Sequence, residues 1–468
     1  MHTASWSAVY YADPGALNDG NLYVDIPDDL ENIRGIYIVG KRGDMDTAFW
    51  GPRANEWQPF LRSFGFVMGY RTQGEALCSW ERDVPQRTLE ALTMIAAQSG
   101  HPELAHAPVF LFGFSGDAAG PAAMAEAFPH RTLGGVWHST ADNCSYGSEE
   151  SQTNELFYTP TLEINCSLDS WGWQLIHAWT TMSNWNGRVI TGSVAWTHAQ
   201  QGGGHGSAMN RSTLQFPWIL SVVSQRLPSD TTPYTNLPIL SRLDTNLLWH
   251  GDQGDRGLFQ VGQYLSNFDS NGQSRTVGTF NIWPATNSPP AALSTCPTWS
   301  ALPDEAFARV WQTYCDMTNA AVTPSGNDAA WSIQTVAVLP ASTVTTEESG
   351  KKIRFTIVRS RKSASPLNVP FTLSGAAING SDYSAITNLI CTIPAGEWAG
   401  TVEIAPTDDV TPEGPETVTI SLSRNTNFYY VHGPGSVSAV INDDESAAPV
   451  VLTRSPPHGA AEFIGTNL

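Results

Sequence analysis

Basic side chains are scarce in this chain: 24 Lys and Arg stand against 44 Asp and Glu, a formal charge of −20. Phosphate backbones and anionic membranes are gripped by clustered Lys and Arg, which this chain lacks, so the charge speaks against nucleic acid and against an anionic membrane as partners, and divalent cations or neutral substrates fit better. Charge of either sign is sparse, 15% of residues, while Trp reaches 17 copies; packed aromatic-rich domains have that composition and disordered chains do not. No apolar run approaches the roughly eighteen residues that a transmembrane helix needs. The start Met1-His2-Thr3-Ala4-Ser5-Trp6 lacks the basic and apolar segments of a secretory signal. Six cysteines (Cys78, Cys144, Cys166, Cys296, Cys315, Cys391) show no C-x-x-C spacing, which removes support for a zinc or redox motif. Cys296 and Cys315 either pair in an oxidising compartment or remain buried thiols.

Against these absences stands one organised stretch. Val109-Phe110-Leu111-Phe112 reads as a buried strand, Gly113-Phe114-Ser115-Gly116-Asp117 as a tight turn, and Pro121 to Ala127 as a helix. A strand, a sharp turn and a helix put the Ser115 hydroxyl on the turn, above a helix N-terminus whose free N–H groups favour developing negative charge. The stretch resembles the nucleophile elbow of the serine esterases of the α/β-hydrolase fold. The family pattern is G-x-S-x-G, and Asp117 stands where its last glycine belongs.

That resemblance implies a mostly parallel sheet covered by helices on both faces, and the chain supplies its parts in order. Tyr23 to Ile26 and Gly35 to Gly40 read as strands, Phe64 to Tyr70 as another, Gln86 to Ser99 as a helix, and Gly134 to Trp137 as the strand after the elbow. The loop beginning at Lys41 should furnish a second oxyanion N–H beside that of Gly116, although the family's usual His-Gly is absent there. Pro160 to Cys166 is a strand, and Asp169 just beyond it is the candidate triad carboxylate; Glu163 and Asp142 are alternatives, and N-capping is its other role. Arg188 to Trp196 reads as the last core strand. His205, on the glycine-rich loop Gln200 to Ser207, is the candidate general base, with His198 as competitor. Ser115, Asp169, His205 is the chain order of this fold's triad. Phe216 to Leu220 reads as the closing helix.

Pro228 to Asn327 is rich in Pro, Asn and Ser; its one clear element is a helix from Pro303-Asp304-Glu305 with Phe307, Val310, Trp311 and Tyr314 on one face. From Thr335 the texture becomes short β-rich runs with turn signals, at Val336 to Leu339, Ile353 to Val358, Val369 to Leu373, Thr401 to Ile404 and Val418 to Leu422, which argues a β-sandwich. Acids fall at Glu347-Glu348, in Gly380-Ser381-Asp382-Tyr383, at Asp408-Asp409 followed by Glu413 and Glu416, and at Asp443-Asp444-Glu445. With the Ile393-Pro394-Ala395-Gly396 turn and the Glu413-Gly414-Pro415-Glu416 segment, this region resembles a Calx-beta domain. The resemblance implies Ca²⁺ held by strand-end acids at one pole, and assigns Glu347, Asp382, Asp408, Asp409, Glu413, Asp443 and Asp444 as its ligands.

The expected organisation is an α/β-hydrolase domain over 1–230, an accessory region over 231–334, a Calx-beta-like sandwich over 335–445 and a flexible tail over 446–468. The expected activity is that of a secreted or cell-surface bacterial-type carboxylesterase. It uses Ser115, His205 and Asp169 with the Gly116 and Lys41 N–H groups, needs no cofactor for catalysis, and acts on a small acyl ester, a polysaccharide ester or a polyester. A serine peptidase with the same triad, and a calcium-dependent adhesion protein with an inert hydrolase domain, are the alternatives.

Overall fold

The computed structural model describes residues 3–11, 20–39, 55–71, 84–114, 119–138, 159–166, 195–201, 211–252, 281–287, 299–315, 332–444, 453–454 and 462–463. Its largest element is an eight-stranded sheet built from β1 (Thr3–Tyr11), β2 (Gly20–Pro27), β3 (Gly35–Val39), β4 (Phe66–Arg71), β5 (Val109–Phe114), β6 (Thr132–His138), β7 (Thr161–Cys166) and β8 (Trp196–Gln201). The order across the sheet is β1-β2-β4-β3-β5-β6-β7-β8. Strands β4, β3, β5, β6, β7 and β8 are mutually parallel, and β2 alone runs against the rest. Parallel strands need covered crossovers, so both faces must be packed, and β3 to β6 are accordingly buried along almost their whole length. This order, with its exchange of β3 and β4, is the α/β-hydrolase sheet.

Successive side chains of β5 go to opposite faces, as the two-residue period requires. Val109 and Leu111 meet α2 (Val84–Ser99) through Leu92 and Ile95, together with Met124 of α3 (Ala119–Ala127). Phe110 and Phe112 meet α1 (Trp57–Arg62) and α4 (Arg211–Arg226). Pro217 lies inside α4, where it deletes a helical hydrogen bond. The helix continues through it because Phe216, Trp218, Ile219, Leu220 and Val222 are all fully buried against the sheet. Gly134 of β6 is there for the same packing: a Cβ at that position would stand 2.7 Å from the Trp218 ring and 2.9 Å from Phe110.

The last core strand begins where the sequence reading ended it, at Trp196 rather than Arg188; residues 188–194 lie outside the described residues. What makes 196–201 a strand is pairing on one side with β7 and, on the other, cover from a three-stranded sheet ordered β10-β9-β11: β9 (Trp249–Asp252), β10 (Asn281–Pro284) and β11 (Trp299–Leu302). The His198 N–H donates to Ser300 Oγ at 3.0 Å, and Trp311 Nε1 of α5 (Glu305–Cys315) donates to the His198 carbonyl at 2.7 Å. Helix α5 buries Phe307, Val310, Trp311 and Tyr314 in the core, the apolar stripe expected of it. Cys315 is buried on the same helix, and Cys296 lies outside the described residues, so their pairing is not described.

The sandwich consists of two sheets, β17-β14-β12-β19 and β13-β20-β18-β15-β16, formed by β12 (Thr335–Ser342), β13 (Val344–Thr346), β14 (Ile353–Arg359), β15 (Leu367–Gly375), β16 (Ile390–Ile393), β17 (Ala399–Ile404), β18 (Glu416–Leu422), β19 (Tyr430–Val431) and β20 (Ser436–Asn442). Alternating burial along β16, β17 and β18 sends every second side chain into its own core of Val338, Phe355, Ile357, Val369, Ile393, Val418 and Ile441. The sandwich also shares a core with the helices on the eight-stranded sheet: Trp398 packs on Phe60 of α1 and Phe216 of α4, ring centroids 5.2 and 5.4 Å away. Arg34, buried at the foot of β3, donates to the carbonyls of Pro340 and Pro228. Beyond the sandwich, β21 (Thr453–Arg454) and β22 (Glu462–Phe463) pair antiparallel.

Candidate active-site edge and candidate metal centre

Because β3, β5, β7 and β8 are parallel members of one sheet, their C-terminal ends lie along the same edge. Lys41 follows Val39 by two residues, Ser115 follows Phe114 directly, Asp169 follows Cys166 by three and His205 follows Gln201 by four. Ser115, Gly116, Lys41, Asp169 and His205 themselves, with Asp142 and Asp117, lie outside the described residues. Glu163 and His198 are described. Each sits within its strand three residues short of the end, 1% and 5% exposed, opposite the other in the β7–β8 register.

Two side chains that the sequence reading did not single out stand at this edge. His138 ends β6 fully buried, and its ring stacks on Phe114, the residue before Ser115, with centroids 5.5 Å apart. Arg71 ends β4, 3% exposed, and its guanidinium lies 3.0 Å from where a Cβ on Gly120 would be. Gly120 is in the first turn of α3, so the absence of a side chain there is what lets a buried cation reach that helix. The signal in the sequence was the polar residue closing an otherwise apolar strand, which in an open parallel sheet marks the edge where ligands bind.

The sandwich carries a second candidate site, fully described. Glu347 follows β13, Asp382 lies in the turn after β15, Asp408, Asp409 and Glu413 lie between β17 and β18, and Asp443 and Asp444 follow β20. The turns bring them to one pole. The Thr407 N–H donates to the Asp382 carbonyl at 3.0 Å, the Glu413 N–H to Asp443 Oδ2 at 2.6 Å, and the Glu348 N–H to Asp444 Oδ1 at 3.3 Å. Asp409 Oδ1 accepts from the Thr411 N–H at 2.6 Å, and Asp382 Oδ2 from the Ile378 N–H at 2.6 Å.

Carboxylates gathered this closely resist ionisation together. Burial first, then the charges of Asp443, Asp409, Glu413 and Asp444, raise Glu347 above the ordinary glutamate range. Glu347 is 7% exposed, and no donor among the described residues meets its carboxylate. Glu413 is raised by burial and by Asp382, Asp409 and Asp443. Glu416, the first residue of β18, is pushed up to about 7 by burial, by a hydrogen bond to Asp382 and by the charges of Asp382, Glu413 and Glu347. Its partner goes the other way: burial alone would raise Asp382, but hydrogen bonds from the Ile378 N–H, Glu416 and Ser381 hold it below the usual range. Glu416 thus keeps the proton that the pair shares.

Carboxylate oxygens of Asp382, Glu413 and Glu416 lie within 4.8 Å of one another. Glu416 was read as one acid of the run but not assigned as a ligand; its place at the start of a strand, beside the loop that carries Glu413, was the available signal. The charges of Asp444 and Asp408 both act on the exposed Glu348, whose N–H donates to Asp444. The donor set is all carboxylate, without His or Cys, which suits a hard cation taking six to eight oxygens and not zinc.

No family model and no curated protein matches this chain. Similar solved structures fall into two groups. An apo-form Calx CBD1 domain is 20% identical, covering 24% of this chain and 99% of that one at a TM-score of 0.21. Thermogutta terrifontis esterase 2 is 11% identical over 43% of this chain and 84% of its own, TM-score 0.30. A dienelactone hydrolase from Anabaena variabilis is 14% identical over 44% and 90%, TM-score 0.28. The fold assignment rests on the strand order itself.

Proposed function

We propose that the chain is a secreted or cell-surface serine hydrolase of carboxylic esters, with a sandwich that binds Ca²⁺. The observation that supports the first half is the side-by-side order β5-β6-β7-β8, all parallel, with Ser115, Asp169 and His205 following the first, third and fourth of these strands in the sequence by one, three and four residues. Neighbouring strands are about 4.8 Å apart, so the end of β7 is about 10 Å from the end of β5, and that of β8 about 14 Å. Three extended residues span about 10 Å and four about 13 Å, enough for Asp169 and His205 to return to Ser115.

In this reading Ser115 Oγ attacks the ester carbonyl while His205 takes its proton. The N–H groups of Gly116 and Lys41 receive the oxyanion, and Asp169 holds the imidazole in the tautomer that accepts the proton and stabilises the imidazolium. As the tetrahedral intermediate collapses, the C–O bond to the alcohol breaks, and His205 returns the proton to the departing oxygen. Water, deprotonated by His205, then attacks the acyl-enzyme, and the carboxylic acid leaves as Ser115 recovers its proton. The alcohol side is a small alcohol, a polysaccharide hydroxyl or a polyester unit. Every step is carried by the chain's own residues and water.

For the sandwich, the supporting observations are the carboxylate oxygens of Asp382, Glu413 and Glu416 within 4.8 Å of one another, and Glu347, raised by burial and by the charges of four neighbouring acids. A cation at this pole exchanges that repulsion for coordination drawn from Glu347, Asp382, Asp408, Asp409, Glu413, Asp443 and Asp444, with Glu416 beside them.

The deciding experiment compares hydrolysis of a short-chain nitrophenyl ester and of peptide substrates by the wild type and by Ser115→Ala. Ester turnover that falls at least about a thousandfold in the variant, with peptides untouched by either, is the expected result. Turnover unchanged by the substitution removes the reading, and turnover of peptides in place of the ester moves it to a peptidase.

A further inference from the structure

Where β9, α5 and the sandwich meet lies a cavity of about 390 Å³ that neither the active-site edge nor the acidic pole uses. Its size is that of a small-molecule site, roughly 300–1,000 Å³. Trp249 at the start of β9 and Tyr430 of β19 line it, both half-buried, with Asn246 ahead of β9, Glu305 in the first turn of α5 and Arg424 just past β18. The acids of this wall are matched from within the protein. Glu305 pairs with Arg424 and, at 3.3 Å, with Arg309, which lies over the Trp249 ring at 5.3 Å; Asp304 is engaged by His432 and the Gly433 N–H. No carboxylate is left over for a metal ion, and the guanidiniums that could hold an anion are already turned to Glu305. Hydrogen-bonding capacity remains instead. Among the described residues, Trp249 Nε1, Tyr430 Oη and Asn246 Oδ1 have no partner, and Arg424 gives Glu305 one N–H and keeps the rest of its fork.

We infer that this cavity binds a neutral saccharide. A pyranose ring has an apolar face of C–H groups, which suits the flat side chains of Trp249 and Tyr430. Around that face runs a rim of hydroxyls, each able to donate and to accept. The wall offers the complement, donors on Trp249 and Arg424 beside acceptors on Asn246 and Tyr430. A wholly apolar ligand would strip water from Arg424 and Asn246 without replacing its hydrogen bonds. A phosphate or carboxylate ligand would have to draw Arg424 away from Glu305 and leave that acid with Arg309 alone. Hydroxyls take the free N–H groups of Arg424 and leave the ion pair in place. The inference stands apart from both the ester chemistry and the calcium reading, since it shares no residue with either.

The test is calorimetric titration of the full chain with cellobiose, maltose, xylobiose and diacetylchitobiose, with digalacturonic acid and inorganic phosphate as charged references. Expected are saturable heat with at least one of the neutral sugars and none with the references. In N246A/R424A, two exposed side chains whose removal should leave the melting temperature unchanged, the affinity should fall at least about tenfold. Trp249→Phe, which keeps a flat ring and removes the Nε1 donor, should weaken binding less than Trp249→Ala. Ser115→Ala should bind the sugar as the wild type does; loss in that variant would put the sugar at the active-site edge and overturn the cavity site. No saturable heat with any of these sugars, affinity that N246A/R424A leaves intact, or a preference for digalacturonic acid or phosphate overturns the inference as well.

Discussion

His432 Nδ1 lies 3.2 Å from both carboxylate oxygens of Asp304. The two residues come from different parts of the fold, the sandwich after β19 and the approach to α5, and both are buried. His432 Nε2 meets Thr335 Oγ1 at 2.7 Å, while Asp304 also accepts from the Ser221 hydroxyl of α4 and from the Phe307 and Gly433 N–H groups. Gly433 has a φ of +58°, and a Cβ there would stand 2.5 Å from Ser224 Oγ, so only glycine lets the sandwich turn come this close to α4. Helix α4, the approach to α5 and the sandwich are joined by this network of polar groups.

Removing one partner leaves the other charged and dry. His432→Ala is expected to lower unfolding stability in urea by about 3–5 kcal/mol, the usual cost of breaking a buried pair. Burial alone would raise Asp304, but the His432 charge and hydrogen bonds from His432, Phe307 and Ser221 outweigh it and hold the carboxyl below its ordinary value. A carboxylate depressed in the folded state stabilises above its unfolded pKa, about 3.9, and that contribution disappears as the pH falls through the lower folded value. Acid unfolding below about pH 4 should therefore be less steep in Asp304→Asn than in the wild type; equal slopes would mean that Asp304 is not held in this way.

Trp398 belongs to the sandwich by sequence and to the core of the eight-stranded sheet by packing, 3% exposed between Phe60 and Phe216. Trp398→Ala should cost about 3–5 kcal/mol, because a cavity opens between rigid aromatic neighbours. Denaturant titration followed by both far-ultraviolet circular dichroism and tryptophan fluorescence reads it. A change within about 0.5 kcal/mol, the range of surface substitutions, would show that the two cores are independent.

Glu416 is held at about 7 by burial and by Asp382, so at neutral pH a cation must displace a proton. The folded value lies above the unfolded one, about 4.3, so the protonated form is favoured by folding, and this contribution is lost as the pH rises through the folded value. Calcium affinity should accordingly increase from about pH 6 to 8, with proton uptake by the buffer visible in the binding heat. Glu416→Gln should flatten that dependence, and an unaltered pH profile would contradict the assignment.

Glu347→Gln should act in opposite directions in the two states. In chelator it removes one charge from a repelling cluster and raises the melting temperature. In Ca²⁺ it removes a ligand, and the stabilisation expected of the wild type, about 2.7 kcal/mol at a hundredfold excess over the dissociation constant, shrinks. Destabilisation in chelator would show that Glu347 has a partner other than the ion.

If Ser115 and His205 work as a unit, their losses do not add. S115A/H205A should hydrolyse the nitrophenyl ester no more slowly than either single variant. Additive losses in the rate would separate the two residues.

The hydrolase sheet was legible because its strands are apolar on both faces and bounded by turns, and the sandwich because its strands alternate. Element ends were less so. The strand Trp196–Gln201 was read too early, since Trp-Thr-His-Ala-Gln-Gln carries little apolar signal of its own and is held by the Ser300 and Trp311 hydrogen bonds from residues a hundred positions away. Helix α4 was read only at its apolar centre, Phe216 to Leu220, because Pro217 obscures a helix that burial sustains in both directions.

Local pattern, then, was sufficient for what depends on neighbours along the chain: a strand running into a glycine-flanked serine, acids at the ends of alternating strands, a helix with one apolar face. Tertiary structure alone decided which distant groups share a dielectric environment. It set Glu416 beside Asp382 with a shared proton, put Arg71 against Gly120, and closed His432 onto Asp304. Burial and pairing energies depend on separation in space, and separation in sequence carries almost no record of it.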